Sequence, residues 1–218
     1  VAAAAAAEVV RAAVAYREPR LPPADAAAAP LPWSASHDAT RALERLASTV
    51  ADTVRAEDAS GGPSAEAAAL LARLHDLRSH QLSGELQRVH AGAGDASTFV
   101  GSRDRAASQL LQLGALAPAA ALAEAFHEYT VLAKLCRPDL AVEAGGAPSL
   151  GAADAEALQW RLLRKYVAAA PPEPPLYDGE EAAADAFPRA LCAAYCAGGA
   201  RAQRELLRLP EAAAAAAA

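Results

Sequence analysis

The sequence predicts an all-α protein, an irregular α-solenoid or helical stack. Three observations lead there. Alanine dominates the 218 residues, and it has the highest intrinsic helix propensity because it loses no side-chain entropy on entering a helix. Residues that favour strands are scarce, with no Ile, three Phe and five Tyr. Apolar residues recur at helical spacing in segments punctuated by Pro and Gly, but no fixed period repeats, so a regular repeat array is not supported. Asn and Met are also absent and Arg outnumbers Lys. This skew away from AT-rich codons reads as genome base composition and says little about function.

The elements follow in order. A first helix is expected to run to about Arg17, with Val9, Ala13 and Tyr16 on one face. Pro19 closes it, and Pro22, Pro23, Pro30 and Pro32 make a linker. Asp38 is placed to cap a second helix whose stripe is Leu43, Leu46, Val50 and Val54, stopped by Gly61-Gly62-Pro63. Ser64 can cap a long third helix with Glu66 in its first turn. Leu70, Leu74, Leu77, Leu82, Leu86 and Val89 supply its buried side, and Gly92 and Gly94 break it. The fourth covers about Thr98 to Leu113, with Gly114 as its left-handed C-terminal residue.

The densest signal follows. Pro118 suits the first position of a helix, and Ala119, Leu122, Ala123 and Phe126 fall at i, i+3, i+4 and i+7. His127-Glu128-Tyr129 turns the chain, and His127 and Glu128 read as turn and surface residues. Val131, Leu132, Leu135 and Cys136 form the next short face, ended by Arg137-Pro138. The result is a compact helical hairpin in which Leu122, Phe126, Leu132 and Leu135 can interlock, with Phe126 as a buried wedge. Ser149 or Asp154 opens a further helix with Trp160, Leu163 and Val167 on one side. Pro171, Pro172, Pro174 and Pro175 make a stiff linker. The last helices carry Phe187, Leu191 and Tyr195, then Leu206 and Leu207 after Gly198-Gly199. The organisation expected is a main helical stack over 1–170, a Pro-rich linker over 171–180, and the start of a following C-terminal helical block over 181–218.

Composition narrows the function classes. The net charge is −6 and no run of Lys and Arg appears, which is not the basic face that nucleic-acid binders use to displace phosphate counterions. No apolar stretch approaches the ~20 residues needed to span a bilayer; the Ala runs at 2–7 and 212–218 are too short and too weakly apolar. The chain starts with Val and has no Met, so a longer parent is expected. Three Cys at wide spacing do not make a secreted disulfide framework, and a reducing compartment fits them better.

Candidate chemistry is thin. Cys192 and Cys196 sit at i, i+4, but zinc needs two more ligands, and the pair reads as two small buried apolar side chains. His75 and His80 are five apart, and His127-Glu128 lacks the second His of a zinc-protease helix. His37 and His90 lie beside loops with no evident partner. The Gly-rich stretch Ala91–Asp95 has no preceding strand and no Gly-Lys-Ser/Thr ending, so it reads as a connector rather than a phosphate loop. The acidic pairs Glu57-Asp58 and Glu180-Glu181 read as solvated surface. No catalytic residue, metal, cofactor or small-molecule ligand is expected.

Three segments together resemble the nucleoporin 133 family of the nuclear pore's outer-ring Y complex. The first is Val10 to Arg17 with Tyr16, followed by Pro32-Trp33-Ser34. The second is Leu113-Gly114-Ala115-Leu116 and then Ala119 to Cys136, which carries Leu122, Phe126, Tyr129, Leu132, Leu135 and Cys136. The third is Phe187 to Tyr195, including Leu191, then a Gly and Leu206-Leu207. Their order and spacing match across most of the chain. Ala125 stands where the family often has Lys, and Ala194 where it often has Trp. The resemblance implies a scaffold with no enzymatic activity, located in the nucleus at the nuclear envelope in the pore complex and supporting passage of mRNA and protein. It implies other Y-complex nucleoporins as partners, in particular nucleoporin 107 through the parent's C-terminal end, with no direct nucleic acid and no membrane contact. The closest alternative is an α-solenoid scaffold of another coat-like assembly, a vesicle coat or a ciliary-transport subunit. A helical-repeat RNA-binding protein is the more distant one.

Overall fold

The computed structural model describes residues 35–58, 65–137, 151–169, 174–197 and 203–204. Among them the chain forms helices, turns and no strand, so the fold is all-α. Seven α-helices are described: α1 (His37–Asp58), α2 (Ala65–His90), α3 (Ala96–Gln112), α4 (Leu116–Ala125), α5 (Tyr129–Leu135), α6 (Ala152–Leu163) and α7 (Ala183–Ala197). A π-helical stretch, Arg164–Ala169, continues α6. The expected first helix with Tyr16, the linker with Trp33, the Gly61-Gly62-Pro63 stop, the Ser64 and Ser149 caps and Leu206-Leu207 lie outside the described residues.

The chain divides into two compact units, 1–106 and 107–218, with the boundary inside α3. The sequence placed a division at 171–180; α7, which follows it, belongs to the second unit. The stripe Phe187, Leu191 and Tyr195 needs an apolar surface, and α7 packs against α5 and the π-helical stretch.

In the first unit α1 packs on α2. The buried side of α1 is Thr40, Leu43, Ala47, Val50, Ala51 and Val54, while Leu46 is half-buried at its flank. The cap is Ser36, not Asp38: the Ala39 N–H donates to Ser36 Oγ at 3.2 Å. Asp38 lies in the first turn, where a carboxylate complements the helix dipole. On α2, Leu74, Leu77 and Leu82 are fully buried, whereas Leu70, Leu86 and Val89 are half-buried. Polar residues take part of that face. Arg78 Nη1 donates to Gln81 Oε1 at 2.7 Å, and Gln81 Nε2 donates to Glu85 Oε1 at 3.0 Å. Burial lowers the Arg78 pKa; the Glu44 carboxylate opposes this and the Arg105 cation adds to it.

Asp95 starts α3 earlier than Thr98. Its Oδ2 accepts from the Thr98 N–H at 2.9 Å, from Thr98 Oγ1 at 3.0 Å and from Ser97 Oγ. The Ser97 hydroxyl first, then the Thr98 groups, hold this carboxyl below its usual range. From sequence Asp95 belongs to the Gly-rich connector, and only the fold shows it to be the cap.

The second unit opens on the end of α3. Gly114 has φ 69°, its N–H donates to the Leu111 carbonyl at 3.0 Å, and the Ala115 N–H donates to the Leu110 carbonyl at 3.0 Å. These two bonds make a Schellman motif, which satisfies carbonyls that the helix end would orphan. In α4 the Ala119 N–H bonds the Ala115 carbonyl at 2.9 Å, so Pro118 is the third helical residue rather than the first. Its missing N–H still falls in the turn that has no intrahelical acceptor. Gly151 begins α6 without a side-chain cap, and Asp154 sits in the first turn.

The π-helical stretch corrects the reading of Val167. An extra residue per turn rotates the buried face, so Leu162, Leu163 and Tyr166 point inward. Val167 is 44% exposed and Trp160 is half-buried.

Gly114→Ala places a Cβ in left-handed backbone, which costs ~1–2 kcal/mol. The urea midpoint should fall accordingly with an unchanged m-value.

Candidate functional site

The second unit has a polar and aromatic junction at its centre. It starts where α4 ends. The Glu128 N–H donates to the Ala123 carbonyl at 2.8 Å, which requires a left-handed residue between them. That residue is His127, with φ 54°. Histidine visits this region more often than most side chains, yet Gly would adopt it without strain. A second demand explains the ring. His127 Nδ1 lies 3.1 Å from Glu180 Oε2, and the two side chains are 10% and 3% exposed. Glu180 Oε2 also accepts the Leu176 N–H at 2.6 Å. Gly179, at φ 87°, lets the segment 177–180 turn tightly enough for the Glu180 N–H to reach the Tyr177 carbonyl at 3.1 Å.

His127 and Glu128 are therefore buried, at 8% and 5% exposure, not surface residues, and Tyr129 is buried beside them at 6%. A hairpin exposed to water would leave them outside, but here the chain around Glu180 covers the turn. Glu128 Oε1 accepts the Thr130 N–H at 3.2 Å and so caps α5. Glu180 is likewise removed from the expected solvated pair, while Glu181 stays partly exposed and binds Arg189.

Rings continue from this turn. His127 stacks on Tyr129 at 5.7 Å between centroids, and Tyr129 meets Tyr166 edge-on at 6.0 Å. Tyr166 stacks on Phe187 at 4.9 Å, and Lys165 Nζ lies 4.7 Å from the Tyr166 centroid. Offset and edge-on pairs suit the ring quadrupole and add ~0.5–1.5 kcal/mol each beyond area burial. The ladder thus joins the α4–α5 turn, the π-helical stretch and α7.

Two further clamps close the junction. The Cys136 carbonyl, at the end of α5, accepts from Tyr195 Oη at 2.6 Å and from Gln159 Nε2. Glu124 accepts from Arg161 through both oxygens, at 3.2 and 2.7 Å, and from Lys165 at 3.1 Å. Burial by itself would raise the Glu124 pKa, but hydrogen bonds and charge from Arg161 and Lys165 outweigh it and lower it.

The positions that carry the resemblance are placed as follows. Leu122, Phe126, Tyr129, Leu132, Leu135, Cys136, Phe187, Leu191 and Tyr195 are buried in this unit. Gly114 is buried and closes α3, and Leu113 beside it is half-buried. Tyr16 and Trp33 lie outside the described residues. The sequence reading missed Glu124, Gln159, Tyr166 and Glu180. The only signal available for them was a Tyr-Asp-Gly-Glu turn and an aromatic in α6's continuation.

Cys136 is buried, as expected of its apolar face, and the α7 pair, expected to be buried, is not. Cys136 is fully buried, and burial pushes its thiol up to about 12. Cys192 and Cys196 are exposed and unbridged. They lie one position beyond Leu191 and Tyr195, about 100° round the helix from the buried stripe.

In the first unit, Ala91–Asp95 is a connector as expected. Gly92 has φ 67°, and a Cβ at Gly94 would lie 3.0 Å from Arg88 Cβ. His37 does have a partner: Arg88 Nη1 is 3.1 Å from its Nδ1, and Arg88 Nη2 donates to the Ala93 carbonyl at 3.3 Å. An open cavity of about 500 Å³ lies beside these groups, lined also by Glu85, Asp95 and Phe99. Among the described residues no group of three His, Cys, Asp or Glu side chains could hold a metal ion, and no helix is long and apolar enough to cross a membrane.

Comparison with protein-family models, curated proteins and solved structures finds no match to the chain.

Chemically the junction is a closed fastening. His127, Glu124, Glu180 and the Cys136 carbonyl meet partners within it, and its rings are packed, while the hydroxyl oxygens of Tyr129 and Tyr166 are buried with no hydrogen bond among the described residues.

Two measurements probe it. Phe126→Ala should cost ~3–5 kcal/mol, the range for truncating a buried aromatic. Glu128→Ala, expected from the sequence to be nearly neutral, should instead cost ~1–2 kcal/mol through the lost cap. Chemical denaturation of both variants checks this, and a neutral Glu128→Ala would contradict the buried turn. Acid titration gives the other. Because the folded Glu124 pKa is lowered, its stabilisation is present above the ordinary carboxyl value of 4.5 and is lost as pH falls through the folded value. Glu124→Gln should flatten the fall in unfolding free energy on the acid side of that value.

Proposed function

We propose that the chain is a structural scaffold segment of the nucleoporin 133 type, a helical spacer within the outer-ring Y complex of the nuclear pore. The observation that carries this reading is the convergence of the resemblance on one junction. The Leu-Gly turn, the Leu122–Phe126 face, Tyr129, the α5 face ending in Cys136, and the Phe187–Leu191–Tyr195 stripe are distant in sequence. In the fold they are closure and packing positions of a single unit. A segment whose charged side chains and rings hold short helices in register suits a load-sharing rod better than a reaction centre. On this reading the protein supports passage of mRNA and protein through the pore, contacts other Y-complex nucleoporins, and meets nucleoporin 107 through the parent's C-terminal end. It has no catalytic role.

The test is capture of the full-length parent with its neighbours. Fluorescently tagged parent protein should mark the nuclear rim and co-purify with Y-complex nucleoporins. Recovery with vesicle-coat or ciliary-transport subunits instead, without rim signal, would replace this reading with another coat-like scaffold. Phe126→Ala should reduce rim signal in proportion to protein abundance, because the residue stabilises the unit and is not itself a contact.

A further inference from the structure

The exposed face of α7 carries a feature that the scaffold reading does not use. Cys192 and Cys196 are both exposed and one helical turn apart. Side chains at i, i+4 have Cβ atoms ~5–6 Å apart on the same face, so two sulfurs can converge on one ion between them. Their surroundings leave them open. Ala193 and Ala197, exposed beside them, carry only methyl side chains. Arg189, one turn before Cys192, has its guanidinium held by Glu181 at the start of the helix. Gln203 reaches this turn as well, but its amide donates to the Cys196 carbonyl at 3.2 Å and not to the sulfur.

The third thiol is not available. Cys136 is fully buried and its pKa is about 12, so it stays protonated. The chain therefore presents two thiols to solvent, and they are neighbours. Which ion they could take follows from coordination number. Zinc in a closed site takes four ligands, and no group of three candidate ligands gathers among the described residues. Thiolates suit copper(I), zinc and iron–sulfur clusters, and of these copper(I) is the soft ion content with two.

We propose that Cys192 and Cys196 form a two-thiolate site for a soft monovalent ion, copper(I), on the solvent face of α7. Binding forms two Cu–S bonds, breaks two S–H bonds and releases two protons, with copper remaining in the +1 state. Because binding releases protons, affinity rises with pH.

The experiment uses the whole chain under anaerobic, reducing conditions. Alkylation of the native protein should add two labels, at Cys192 and Cys196, with Cys136 modified only after unfolding. The protein is then loaded with copper(I) and challenged with a chromogenic copper(I) chelator. One copper per chain should resist the chelator in the wild type. None should resist it in Cys192→Ser or Cys196→Ser, although both keep the helical circular-dichroism spectrum, since neither side chain is packed inside. Zinc offered in the same way should not be retained. Retention by either single-cysteine variant would overturn the site, as would loss of all copper from the wild type. One copper per two chains in a sedimenting dimer would also overturn it, because the ligands would then come from two helices.

Discussion

The Cys136 carbonyl is the point on which the second unit turns. It stands at the end of α5, a helix of only seven residues, where a carbonyl has no partner within its own helix. Tyr195 brings a hydroxyl to it from α7 and Gln159 an amide from α6. Groups 23 and 59 residues away in sequence are thereby set against one atom. Buried acceptors are costly to leave unmet, so the arrangement of α6 and α7 around α5 has a specific polar anchor as well as apolar burial. The aromatic ladder and the Glu124 clamp then act on helices already held in place.

Short helices make such anchors necessary. Helices α4 and α5, of ten and seven residues, would be marginal alone, because helix nucleation is unfavourable and few bonds follow it. Alanine sharpens the problem. It favours the helix, yet Ala119, Ala120, Ala123 and Ala133 bury little apolar area each. What alanine offers is close approach of backbones with no side-chain entropy to lose. Leu, Phe and Tyr at the remaining positions, together with the polar fastenings, supply the rest.

Most of the fold was legible from composition and punctuation. Helix existence followed from stripes bounded by Gly and Pro, and Leu113-Gly114 identified its own turn because a left-handed closure selects glycine. Burial of Phe126, Leu132 and Tyr195 followed from spacing. The junction was not legible, for three physical reasons. His127 and Glu180 are 53 residues apart and only tertiary structure pairs them. A His-Glu-Tyr turn looks polar, and nothing local says that another segment will cover it. The π-helical stretch has no local signature, so Val167 was assigned by a 3.6-residue period that the backbone abandons at Arg164. The cysteines were a different failure. Phe187, Leu191 and Tyr195 already fix the inward face of α7, and reading Cys192 and Cys196 by residue type overrode the geometry that placed them outside.

Position 127 also bears on how this sequence can change over time. Its backbone favours glycine, whereas Glu180 favours a side chain that can hydrogen-bond with it. A change to glycine relieves the first demand and leaves the carboxylate with the Leu176 N–H but not the ring; a change at Glu180 leaves the ring its stacking on Tyr129 and its backbone strain. Each single step is penalised, and its cost depends on what stands at the other position. Residues 127 and 180 are thus an epistatic pair, expected to be replaced together across descendants of this chain, and a substitution acceptable in one lineage would be harmful when transplanted alone into another.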